Sequence, residues 1–161
     1  MNIFVLDNNR KNCAQYHVDR HVVKMILEST QILSTVCRLN DVEEGYKITH
    51  KNHPCVKWCA NSLSNWLWLQ EHIHYLNEEY KFRFNHIENH KSYEVAIKLS
   101  KPRIKDTGLT IFALAMPEIY KSNDSIISYR NYYIGEKQHL AKWTKREIPE
   151  WFITNNYARK I

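Results

Sequence analysis

Residues 12–38 contain neither glycine nor proline, and apolar side chains recur along them at three- and four-residue steps, the period of one face of an α-helix. Across the middle of this run Val22, Val23, Met25, Ile26, Leu27, Ile32, Leu33 and Val36 occupy most of the circumference. A helix apolar on so many sides belongs at the centre of a domain. The rest of the sequence points the same way, because 3 Gly and 4 Pro in 161 residues are too few for the frequent turns of a β-sandwich or barrel. The 43% of hydrophobic residues suffices for one core. The expected fold is therefore mainly α: a single compact helical domain over residues 1–161, built around two long packed helices, with a short extended N-terminal arm.

That arm is residues 3–6, Ile-Phe-Val-Leu, a β-favouring apolar run closed by Asp7-Asn8-Asn9 and expected to tuck into the body. The first helix should stop at Leu39-Asn40-Asp41, and the polar residues 41–53 read as a loop. Pro54 suits the first turn of a helix, where its missing N–H is no loss. A second long helix is expected over 54–82, with Trp58, Leu63, Trp66, Leu67, Leu69, Ile73, Leu76 and Tyr80 on its apolar side. A third stretch follows over 91–99. Ser122-Asn123-Asp124 offers caps for a helix running toward Trp143 and kinked at Gly135, and Trp151-Phe152 should dock on the core.

On a helical wheel His17, Arg20, Lys24, Glu28, Gln31, Thr35 and Arg38 fall in one narrow sector, bordered by His21. A solvated helix edge is usually a wide, repetitive alternation of Glu and Lys. This strip instead gathers imidazole, cations, one carboxylate and an amide on a helix that is otherwise apolar. It is expected to line a cleft centred on Glu28, where the cations either pair with the acid or complete an anion site. The competing reading, a merely solvated edge, predicts that Lys24 and Glu28 are replaceable.

A formal charge of +6 and a pI near 9.1 favour anionic partners, among them nucleic acid and nucleotides, although a lysine-rich surface also serves solubility alone. Cys13, Cys37, Cys55 and Cys59 lie in a chain whose start turns acidic too soon for a signal peptide. Free thiols and a cytoplasmic location are expected. No apolar run approaches a membrane span, so no membrane partner is expected. His50, His53, Cys55 and Cys59 are zinc-ligand types without the paired C-x2-C spacing, and buried structural thiols fit better than a metal. No cofactor is expected either, since the chain has no phosphate-cradling glycine loop, dinucleotide fingerprint or nucleophile elbow.

Two further segments attract notice. His50, Asn52 and His53 precede a helix N-terminus, whose free N–H groups suit a phosphate or base, or else form a plain loop and cap. Tyr129, Arg130, Tyr132, Tyr133, Lys137, Lys142, Trp143, Lys145 and Arg146 interleave rings with cations. Such a mixture suits stacking on bases and neutralising phosphates, while tyrosines at this spacing equally suit a core.

With these residues in hand, the chain resembles the pyrimidine-dimer DNA glycosylase family. The likeness rests on Asp19-x-His21 followed by Glu28 on one helix, on the His53-bearing start of a second long helix, and on the Tyr132-Tyr133 and Trp143 region. The resemblance implies a small helical domain that binds duplex DNA, flips a base, and cleaves the glycosidic bond with an N-terminal amine and a glutamate. It assigns the glutamate role to Glu28 and contacts with phosphate or base to Arg20, His21, Lys24 and Gln31, with His17, Arg130, Tyr133, Lys137 and Trp143 added from the stripe and the aromatic segment. The family's amine belongs to a small residue exposed after methionine removal, whereas residue 2 here is Asn. Methionine-removing enzymes rarely accept so large a neighbour, so the amine of Met1 is the candidate nucleophile.

Two functions follow as expectations. The first is a DNA glycosylase, with or without abasic-site lyase activity, acting on damaged or modified pyrimidines in duplex DNA. The alternative is a protein without chemistry that captures a nucleotide or other phosphorylated small molecule in the same basic cleft, as a viral protein does to blunt a host signal.

Overall fold

The two long helices expected from the sequence are each broken once. A computed structural model of the protein describes residues 1–158, so residues 159–161 of the expected domain lie outside the described part. Among the described residues the chain forms α1 (Arg10–Tyr16), α2 (Asp19–Arg38), α3 (Pro54–Asn61), α4 (Leu63–Phe84), α5 (Lys91–Ala96), α6 (Ser125–Glu136) and α7 (Glu150–Ala158), with 3-10 turns at Glu118–Tyr120 and Gln138–Leu140 and no strand. The fold is mainly α, as expected. Helices α2 and α4 are its packed central pair, tied by the Trp66 indole N–H donating to the Leu33 carbonyl at 3.3 Å. Ile26, Ile32, Leu33, Leu69, Ile73 and Leu76 are wholly buried, each contributing about 1.5–3 kcal/mol by leaving water.

The run 12–38 breaks at His17 and Val18, both in extended conformation. The cause comes from far along the chain. Arg83 of α4, 1% exposed, donates to the carbonyls of Gln15 (2.8 Å) and His17 (2.7 Å), to Asp19 Oδ1 (3.1 Å) and to Glu79 (2.8 Å). It collects carbonyls at the end of α1 that further helix would otherwise use. Asp19 also receives the Thr144 N–H and hydroxyl, and Arg146 reaches Glu79 at 2.6 Å.

The run expected over 54–82 breaks at Ser62. There Asp106 accepts from the Ser62 hydroxyl and from the N–H and hydroxyl of Ser64, starting α4 afresh. The Ser64 hydroxyl most of all, then the Gly108 N–H and the Ser62 hydroxyl, hold the Asp106 carboxyl down at about 2. The stretch 91–99 is helical only to Ala96 and continues as hydrogen-bonded turns to Leu99. Asp124 caps α6 as expected, accepting from Ile126 and Ile127. That helix ends at Glu136 rather than running on toward Trp143. Gly135 is no kink; a Cβ there would lie 2.3 Å from the Tyr120 ring, so glycine makes room for a tyrosine.

The arm tucks in as expected but pairs with no strand. Ile3, Phe4, Val5 and Leu6 are buried, and the Phe4 ring stacks on His21 at 4.4 Å, edge-on to Tyr133 at 5.3 Å. Arg130 fastens the end of the arm through the Leu6 carbonyl (2.8 Å) and Asp7 (3.1 Å). Trp151 and Phe152 dock as expected, Phe152 against Trp143 at 5.0 Å and Trp151 under the Arg130 guanidinium at 5.1 Å.

Three imidazoles lie inside this core. Burial holds His17 down to about 4 and His21 down to about 3, the latter helped by the charges of His17, Lys137, Lys24 and Arg20; it lowers His72 strongly as well. A histidine kept neutral in the fold protonates more readily when unfolded, so stability is full above the unfolded value of about 6.5 and is lost as pH falls toward the folded values. Each contributes a slope of up to about 1.4 kcal/mol per pH unit in that window. Urea unfolding should therefore show stability falling steeply between pH 6.5 and 4, and His72→Phe should flatten the slope by up to one proton. An unchanged slope in that variant counts against this account.

Candidate active site

The N-terminal arm ends against the polar stripe of α2. Glu28 is half-buried there, its side chain 13% exposed, with the Met1 amine 3.7 Å from Oε2 and Lys24 Nζ 3.5 Å from Oε1. The backbone N–H of Asn2 donates to the same Oε2 at 3.2 Å. One carboxylate thus faces a primary amine on one oxygen and a lysine, itself 59% exposed, on the other. His53 closes a further side. Its Nδ1 accepts from Cys55 N–H at 3.1 Å as the cap of α3, and its ring lies against the backbone of Met1. Burial, then the charges of the amine and His50, hold His53 below the ordinary imidazole range against the opposing pull of Glu28.

Such a group of atoms suits one kind of chemistry. An α-amine is less basic than a lysine, and once its proton passes to a neighbouring carboxylate it attacks an electrophilic carbon. The same carboxylate then stabilises positive charge developing beside it. The model of the pyrimidine dimer DNA glycosylases matches residues 1–92. The chain belongs to that family. Searches of curated proteins and of solved structures returned no match. The matched part of this pyrimidine dimer DNA glycosylase family member carries the arm, α1 to α4, Glu28 and His53, and stops inside α5.

Not every residue singled out in the sequence gathers here. Along the stripe, Arg20 and Lys24 are exposed and Gln31 is half-buried. Thr35 and Arg38 instead pin the loop after α2, Thr35 through the backbone of Thr49 and Arg38 through the Tyr46 and Gly45 carbonyls and Glu43. His17 leaves the stripe because α1 ends before it; it is wholly buried, with Nδ1 on the Cys13 carbonyl. His21 is 5% exposed, its Nδ1 2.7 Å from the Tyr133 hydroxyl.

Tyr133 is itself wholly buried, and Trp143 spends its indole N–H on the Tyr16 carbonyl at 2.8 Å. Arg130 is committed to the arm. The burial of His17, His21, Tyr133 and Trp143 leaves no ring face for a base, which corrects their reading as ligand contacts: an interleaved aromatic run packs inward when a neighbouring helix covers it. Lys137 lies 4.9 Å over the Tyr132 ring and remains half-buried, while His50 and Asn52 are exposed on the loop that leads to His53.

Asp19 and His21, two of the residues that carried the resemblance, are structural in this fold: Asp19 joins the Arg83 network and His21 the aromatic cluster. Cys55, whose thiol burial pushes up to about 11, and Cys59 are unpaired and buried. The residues that sequence reasoning missed are Asn2 and Tyr129. Both were noticed for something else, Asn2 for its size and Tyr129 as one ring of the aromatic segment; nothing local marked their contact with each other, which joins residues 127 positions apart.

Proposed function

We propose that the protein is a DNA glycosylase with abasic-site lyase activity on damaged pyrimidines in duplex DNA, with Met1 supplying the nucleophile and Glu28 the acid–base group. One observation carries the reading: an α-amine 3.7 Å from a half-buried carboxylate on the helix that the family model covers. In this reading Glu28 takes a proton from the amine, and the nitrogen lone pair attacks C1′ of the damaged nucleotide. The glycosidic bond breaks and the base leaves with the bonding pair and a proton. One of the two protons left on the nitrogen passes to the ring oxygen as the C1′–O4′ bond opens, which leaves a protonated imine between Met1 and C1′, and removal of a C2′ proton then expels the 3′-phosphate. Arg20, Lys24, Lys137, His50 and Asn52 hold the backbone on either side, a role that the charge of +6 supports through release of counterions.

The test is incubation with ultraviolet-irradiated and undamaged duplexes, with and without borohydride, followed by a denaturing gel and peptide mapping of any adduct. Irradiation-dependent nicking and a reduced adduct on the Met1 peptide are expected. An adduct on a lysine peptide would reassign the nucleophile, and absence of both nicking and adduct would overturn the reading.

A further inference from the structure

Chain ends are ordinarily the loosest part of a fold, yet a terminal nucleophile has to be held within a fraction of an ångström of its reacting partner. The side chain of residue 2 meets that demand here. Asn2 is 8% exposed. Its Nδ2 donates to the Ala115 carbonyl at 2.8 Å, and its Oδ1 accepts from the Ile3 N–H at 2.8 Å, with the Tyr129 hydroxyl at 3.2 Å and the Cys55 thiol at 3.8 Å. Tyr129, wholly buried, shares its one hydroxyl proton between the Ala113 carbonyl at 2.6 Å and Asn2 Oδ1 at 3.2 Å, and receives the Ala115 N–H at 3.4 Å. One hydroxyl therefore organises both the 113–115 segment and the carboxamide that grips it.

On its backbone side Asn2 is held by Glu28 at 3.2 Å. Residue 2 is fixed from two directions, and the Met1 amine follows one peptide beyond. We propose that the Asn2 carboxamide is the positioning group of the N-terminal amine, with Tyr129 as its support, so that the residue which departs from the family's small second residue sets where the nucleophile sits. A carboxamide suits the task because it presents a donor to a carbonyl and an acceptor to an N–H at once. Aspartate lacks the donor and leucine lacks both.

The inference rests on the glycosylase reading for its catalytic meaning, and its test reads the amine directly. Asn2→Leu and Asn2→Asp keep a bulky second residue, so Met1 stays in place, as intact mass would verify. Trace acetylation followed by mapping of the Met1 peptide should show the amine of Asn2→Leu reacting about tenfold faster than in the unaltered protein, as expected of a locally released segment, while lysine peptides keep their rates. Borohydride trapping on an abasic duplex should fall about 10- to 100-fold, the cost of a misplacement on the order of 1 Å, with DNA affinity unchanged. Asn2→Asp and Tyr129→Phe should move both readouts in the same direction, and they decide the matter if the leucine variant fails to fold.

An acetylation rate within about twofold of the unaltered protein in these variants, less than local release produces, would overturn the positioning role even where trapping shows the glycosylase reading to be sound. A protected amine that is released in Asn2→Leu, in a protein that never traps DNA, would sink the glycosylase reading and leave the positioning role standing.

Discussion

Glu28→Gln should bind duplex DNA as the unaltered protein does and fail to release the base, with turnover and borohydride trapping reduced on the order of 10³-fold. Glutamine keeps the shape of the side chain and one oxygen for the Asn2 N–H. It removes the negative charge that faces Met1 and Lys24 at 3.7 and 3.5 Å, and with it the base that frees the amine and the counter-charge for the sugar cation. Magnitudes separate this from a structural effect. Lys24 is largely exposed, so losing its ion pair costs about 0–1 kcal/mol in stability, and what the covered Met1 amine adds is read separately by the urea titration. The measurement is single-turnover base release beside a binding isotherm and a urea titration. A fully active Glu28→Gln protein would remove Glu28 from the chemistry altogether.

Glu28 and the helical class were legible because each depends on local pattern: glycine and proline scarcity excludes frequent turns, and a lone carboxylate in a strip of cations on an otherwise apolar helix stands out. Asp124 was legible as a cap for the same reason. The breaks at His17 and Ser62 were not, because no glycine or proline marks them and their causes, Arg83 and Asp106, lie far along the chain. The wheel also could not tell a side chain facing solvent from one bonded to a loop. Arg20 and Lys24 are open, whereas Thr35 and Arg38 are spent on residues 43–49. Tyr133 and Trp143 show the same limit from the aromatic side, since stacking platforms and buried rings share a composition.

Arg83→Met should be the most destabilising single substitution of the ion network, at about 3–5 kcal/mol, because it strands charges that stay buried. Glu79 is 4% exposed and the Asp19 side chain 13%; without the guanidinium, Glu79 is left, among the described residues, with Arg146, and two carbonyls at the end of α1 lose their donor. Arg83→Lys should recover only part of the loss, since an ammonium preserves the charge but not the planar fork that reaches Gln15, His17, Asp19 and Glu79 together. Urea unfolding at neutral pH measures both. A loss under about 1 kcal/mol for Arg83→Met would mean that the network merely breaks even against its desolvation, and that the α1–α2 break has another origin. The effect should reach the active site, because that break sets the course of α2 beneath the arm: where Arg83→Lys still folds, it should trap DNA more slowly than its residual stability alone accounts for.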